Sequence, residues 1–85
     1  MTTPQQPGPG WRIVDGHHLE KELEFPDFMT GLAFVNRIAE LAEAANHHPD
    51  IYLAWGKVRI TLFTHTKNGL THRDYDLAAQ IDRLE

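Results

Sequence analysis

Between residues 18 and 25 the chain alternates with a period of two. Leu19, Lys21, Leu23 and Phe25 fall on one side, and Glu20, Glu22 and Glu24 on the other. That spacing predicts a strand with one buried and one wet face. Lys21 interrupts the apolar side and is expected near a sheet edge or snorkelling to water. Upstream, Trp11-Arg12-Ile13-Val14 reads as a short strand, and Asp15-Gly16 as the hairpin turn that joins the two. Beyond Pro26-Asp27 the repeat becomes helical. Phe28, Leu32, Val35, Ala39 and Ala42 make one stripe, and Phe34, Ile38, Leu41 and Ala45 a second beside it. Together they span an arc of about 180°, wider than a surface helix with one apolar face needs. Two explanations stand: an oligomer contact on the excess face, or a helix buried more deeply in its own fold.

Asn46 suits a helix C-cap, and Pro49 bars continuation. Residues 51–55 and 58–66 form a second alternating pair around a Gly56-Lys57 turn, with Val58, Ile60, Leu62 and Thr64 opposed to Arg59, Thr61, Phe63 and His65. Lys67-Asn68-Gly69 ends this pair. Thr71 with Asp74 is a capping-box variant that opens a last helix, whose Leu77, Ala78, Ile81 and Leu84 share a face. The order β-β-α-β-β-α predicts an α+β domain, a four-stranded antiparallel sheet with helices packed on one face. Residues 1–10 carry three prolines and two glycines and read as a flexible tail, leaving 11–85 as a single domain.

Composition narrows the rest. Eighty-five residues allow one domain with a marginal core. Without cysteine, neither a disulfide nor thiolate-bound zinc can staple it, and self-association is the common remaining remedy. A net charge of −4 argues against a nucleic-acid groove. The apolar runs are too short for a membrane span, and the lack of an export leader points to the cytoplasm.

The candidate chemistry is histidine chemistry. His47 and His48 follow the long helix, and His65 lies near the end of the fourth predicted strand. Because that strand runs antiparallel to its partner, His65 returns to the end where His47 and His48 sit. Imidazoles titrate near neutral pH and suit general acid/base work. A metal site is disfavoured, since neighbours on an extended segment point to opposite faces and no His-x-x-x-His pair exists. The chain has no serine or cysteine to act as a nucleophile. His17, His18 and His72 are expected to be solvated. Asp74 as a capping residue and Glu43 as a helix carboxylate have ordinary structural readings.

The spaced set Glu43, His47-His48-Pro49, Trp55, Thr64-His65 and Arg73-Asp74 resembles the pterin-4a-carbinolamine dehydratase family. The resemblance runs from about Trp11 to the C-terminus. It implies dehydration of 4a-hydroxytetrahydropterin to quinonoid dihydropterin without metal or organic cofactor. It implies His47, His48 and His65 as catalytic, and Glu43, Asp50, Phe63, Thr64 and Asp74 as substrate-binding or supporting. A homodimer or homotetramer and a functional link to an aromatic amino-acid hydroxylase follow from the same likeness. Two departures are visible: the segment before Trp11 is too short and too rich in proline and glycine for the helix that family members usually carry there, and Ile51 stands where an aromatic residue is frequent. The competing reading is a non-catalytic partner-binding or assembly protein on this fold, which predicts a damaged histidine set; here the set is intact.

Overall fold

The structure, a computed structural model, describes residues 7–84, so residues 1–6 of the expected tail lie outside the described residues. Both hairpin turns rest on left-handed backbone. Asp15 and Gly16 have φ of 54° and 64°, and the His17 N–H donates to the Val14 carbonyl at 2.9 Å. This turn joins β1 (Arg12–Val14) to β2 (His18–Glu24). Gly56, at φ 78°, turns β3 (Asp50–Ala54) into β4 (Lys57–Leu62). Between the hairpins runs α1 (Phe28–Ala45), and α2 (His72–Asp82) closes the domain. The expected α+β architecture is observed: all strand pairs are antiparallel and the sheet order is β1-β2-β4-β3.

The alternation decides which face is dry. Leu19, Val58, Ile60 and Leu62 are fully buried and meet Ile38 of α1 and Leu77 and Ile81 of α2. Each such side chain contributes about 1.5–3 kcal/mol through removal from water. Of the two stripes on α1, Phe34 and Ile38 belong to the buried core, whereas Phe28 remains 40% exposed. Among the described residues, no helix is long and apolar enough to cross a membrane.

Three details differ from expectation. Lys21 lies on an interior strand, not at an edge, and is buried; its ammonium donates to Asp82 Oδ1 at 2.9 Å and sits 5.6 Å over the Trp11 ring. A buried charge needs a partner, and the C-terminal end of α2 supplies one. The turn of the second hairpin falls at 55–56, so β4 begins at Lys57. Finally, β4 stops at Leu62 instead of running to residue 66. Its partner β2 is running out at that point: the last registered pair is Leu19 with Leu62, just after the Asp15-Gly16 turn. The chain then folds into a 3-10 turn, His65–Lys67, closed by Asn68 in the left-handed region and by the Thr64 N–H donating to the Gly69 carbonyl at 2.8 Å.

Candidate functional site

The end of α1 delivers the first two histidines. Asn46 adopts φ 50°, its N–H donates to the carbonyls of Ala42 and Glu43, and the His47 N–H donates to the Ala42 carbonyl at 3.0 Å. This left-handed cap reverses the chain. Pro49 biases the preceding His48 toward extended backbone, so successive side chains diverge. His47 turns inward and is 7% exposed. His48 turns outward, and its Nε2 meets the Glu43 carboxylate on the helix surface.

Asp74 organises the interior side. It is fully buried and accepts from His47 Nε2 at 2.5 Å, from the Thr64 hydroxyl at 2.9 Å and from the Thr71 N–H at 2.8 Å. The predicted capping box is present, with the Thr71 hydroxyl accepting in turn from the first turn of α2. Capping and imidazole support are therefore one carboxylate's two edges: Oδ2 serves the helix start and Thr64, and Oδ1 serves His47. With Nε2 committed to Asp74, the ring's Nδ1 is the nitrogen left for proton exchange. That nitrogen is not sealed, since among the described residues Arg59 Nε is the one buried side-chain nitrogen or oxygen without a partner.

His47, His48, Thr64 and His65 line one cleft of about 300 Å³, together with Asn46, Thr66 and Arg73. The convergence expected from strand direction is therefore present, even though His65 rides on the 3-10 turn and not on the strand. The His65 ring is exposed and packs against Phe63, ring centroids 4.2 Å apart. Phe63 and Asp74 support cleft residues from behind without lining the cleft, and Glu43 does so from the helix side. Asp50 stands apart: it opens the edge strand β3, is exposed, and makes no side-chain hydrogen bond or ion pair among the described residues.

Sequence reasoning passed over Arg73 as a site residue. Its guanidinium donates to the carbonyls of Ala45 and Asn46 at 3.2 and 2.8 Å, satisfying helix-end acceptors and tying α2 to the loop that carries His47. Its position directly before the capping aspartate was the available signal. His17 and His18 also differ from expectation: both are half-buried, and their Nδ1 atoms face each other at 3.1 Å. His72 is exposed, as expected.

A larger hollow of about 440 Å³ lies among Leu23, Phe25, Phe34 and Leu84, with Glu24 and Arg37 among its walls. It holds no imidazole. The imidazoles line the smaller, more polar cleft, whose size is at the lower end for small-molecule sites.

The family model described as Pterin 4 alpha carbinolamine dehydratase matches residues 2–84. A relative from Rubrobacter xylanophilus, named "Putative pterin-4-alpha-carbinolamine dehydratase", is 54% identical over 76 residues, covering 89% of this chain and 71% of its own. One of the same name from Alkaliphilus metalliredigens is 48% identical over 75 residues, covering 88% and 68%. Among solved structures, a transcriptional coactivator/pterin dehydratase from Brucella melitensis superposes with a TM-score of 0.83 at 35% identity, covering 89% of this chain and 82% of that one. A pterin dehydratase-like protein identified as a RuBisCO assembly factor in the alpha-carboxysome gives 0.73 at 28% identity, covering 88% of both chains.

Proposed function

The chain belongs to the pterin 4 alpha carbinolamine dehydratase family, and we propose that His47, His48 and His65 carry its hydro-lyase reaction. The substrate is a 4a-hydroxytetrahydropterin and the products are quinonoid dihydropterin and water. The C4a–O bond breaks as the departing hydroxyl receives a proton. N5 gives up its own proton, and the C4a=N5 double bond forms. One group must donate and another accept, and an imidazole can serve in either role. His47, oriented by buried Asp74, and His65, lining the same cleft, form the principal pair. His48 works from the outer rim, with Glu43 behind it.

The observation that carries this reading is the cleft itself, with three imidazoles on one wall system and one of them held by a buried carboxylate. Phe63 and Asp50 offer main-chain groups along the end of the sheet, where a flat heterocycle rich in donors and acceptors can be read, while Thr64, whose N–H is committed to the Gly69 carbonyl, lines the cleft. Self-association through the open stripe of α1, a cytoplasmic setting and coupling to an aromatic amino-acid hydroxylase belong to the same proposal.

A second reading, partner binding without catalysis, draws on the likeness to the RuBisCO assembly factor and on Met29 and Trp55, 69% and 73% exposed. The intact histidine set weighs against it. Stopped-flow dehydration of synthetic carbinolamine separates the two. Wild-type protein is expected to accelerate the reaction, and the His47→Ala/His65→Ala double variant to fall to the spontaneous rate. A wild-type rate equal to the spontaneous one overturns the catalytic reading.

A further inference from the structure

We propose that His17, in the β1–β2 turn, is a positioning residue for His65; the inference rests on the reading of His65 as an acid/base group. His65 is exposed, and among the described residues its side chain makes no hydrogen bond or ion pair. A catalytic ring so placed samples several rotamers unless packing restrains it. The ring that restrains it is Phe63, and Phe63 has a second ring neighbour: His17, at 4.7 Å between centroids and tilted by 40°.

The sequence explains why His17 reaches so far. The Asp15-Gly16 turn closes on the His17 N–H, but strand pairing begins one residue later, with Val14 opposite His18. His17 is thus an extra residue between turn and ladder, and such a bulge re-aims its side chain. The sheet order sets β2 beside β4, which brings this turn against the chain leaving β4 at Leu62. No sequence separation hints at that contact.

The His17 ring is itself over-determined. Its Nε2 lies 3.0 Å from Asn68 Oδ1, and its Nδ1 lies 3.1 Å from His18 Nδ1. Two facing imidazole nitrogens need one hydrogen and one lone pair between them, so the pair is held in a single arrangement. Asn68 is the left-handed cap of the very turn that carries His65, and its N–H donates to the His65 carbonyl at 3.2 Å. His17 therefore grips that turn twice: by stacking on Phe63 at its start, and by bonding Asn68 at its end. The β1–β2 turn acts as a brace that fixes the direction of the His65 ring.

The test compares His17→Ala and His17→Phe with wild type by stopped-flow kinetics, thermal melting and the ring-proton NMR signals of His65. In His17→Ala, kcat is expected to fall about tenfold while KM changes less than about twofold, because the ring is misdirected and the cleft is not dismantled. The His65 ring protons are expected to lose the upfield displacement imposed by the Phe63 ring. His17→Phe keeps the stack but gives up the Asn68 bond, and is expected to recover both readouts in part, to within about threefold of wild-type kcat. Unchanged His65 signals in a folded His17→Ala protein overturn the brace. So does a kcat loss that His17→Phe fails to restore. Should His17→Ala not fold, His17→Phe and His17→Gln serve as the pair, with the glutamine variant expected to lose the displacement. A wild-type protein without dehydratase activity would defeat the functional reading alone, since the ring signals still report on the brace.

Discussion

Replacing Asp74 by asparagine changes almost no volume and yet reverses one hydrogen bond. The Oδ2 position accepts from the Thr71 N–H and the Thr64 hydroxyl, at 2.8 and 2.9 Å, so an asparagine amide oxygen remains there. The amide nitrogen then faces His47 Nε2, where Asp74 Oδ1 had accepted at 2.5 Å. An amide donates, so Nε2 must become the acceptor and the ring proton moves to Nδ1. His47 is left in the wrong tautomer to take a proton from the cleft. Holding a catalytic imidazole in the wrong tautomer lowers turnover by about 10²–10⁴-fold. Stability suffers less, because two of the three bonds survive; a loss of about 1–2 kcal/mol is expected. Asp74→Ala separates the two effects. It leaves the buried His47 N–H and the Thr71 N–H unpaired, at about 1–3 kcal/mol each, for a loss of about 2–6 kcal/mol and a melting temperature lower by about 4–8 °C per kcal/mol. Stopped-flow kcat and urea unfolding measure both quantities on the same samples. An Asp74→Asn protein that keeps kcat within about threefold of wild type would refute the tautomer reasoning.

Two other outcomes are expected. Asp27 caps α1; the Thr30 hydroxyl and then the Thr30 N–H, at 2.7 and 2.8 Å, hold its carboxyl below the ordinary carboxylate value. A depressed carboxylate stabilises the fold above its unfolded value, about 3.9, and loses that effect as pH falls through the folded one. Asp27→Ala should therefore melt below wild type at pH 7, with the gap narrowing in acid melts; a gap that does not narrow contradicts the assignment. Self-association predicts a light-scattering mass at micromolar concentration of at least twice the 9.7 kDa chain. A stable species of one chain mass would remove the oligomer reading of the open α1 stripe.

Much of this protein was legible before any coordinates. The period of two in 18–25 and the helical stripes from Phe28 onward carry their own geometry, because each repeat matches the spacing that puts apolar groups on one side of one element. The Thr71/Asp74 box, the Asn46 cap and the Pro49 stop are local chemistry in the same sense: their partners lie within a few residues. Even the meeting of His47 and His65 followed from the antiparallel direction of β3 and β4.

Only tertiary structure decided the rest, wherever the deciding partner was far along the chain. Nothing near Lys21 announces Asp82, the carboxylate that stands beside this central-strand ammonium. Nothing near Leu62 announces that β4 ends there; the end comes from the length of β2. The same holds for Asp74, whose second edge meets His47 at a separation of 27 residues, and for His17, which meets Asn68 across 51. Periodicity is a property of one element and can be read along the chain. The pairing of buried polar groups depends on which elements become neighbours, and that is settled only when the sheet order β1-β2-β4-β3 forms.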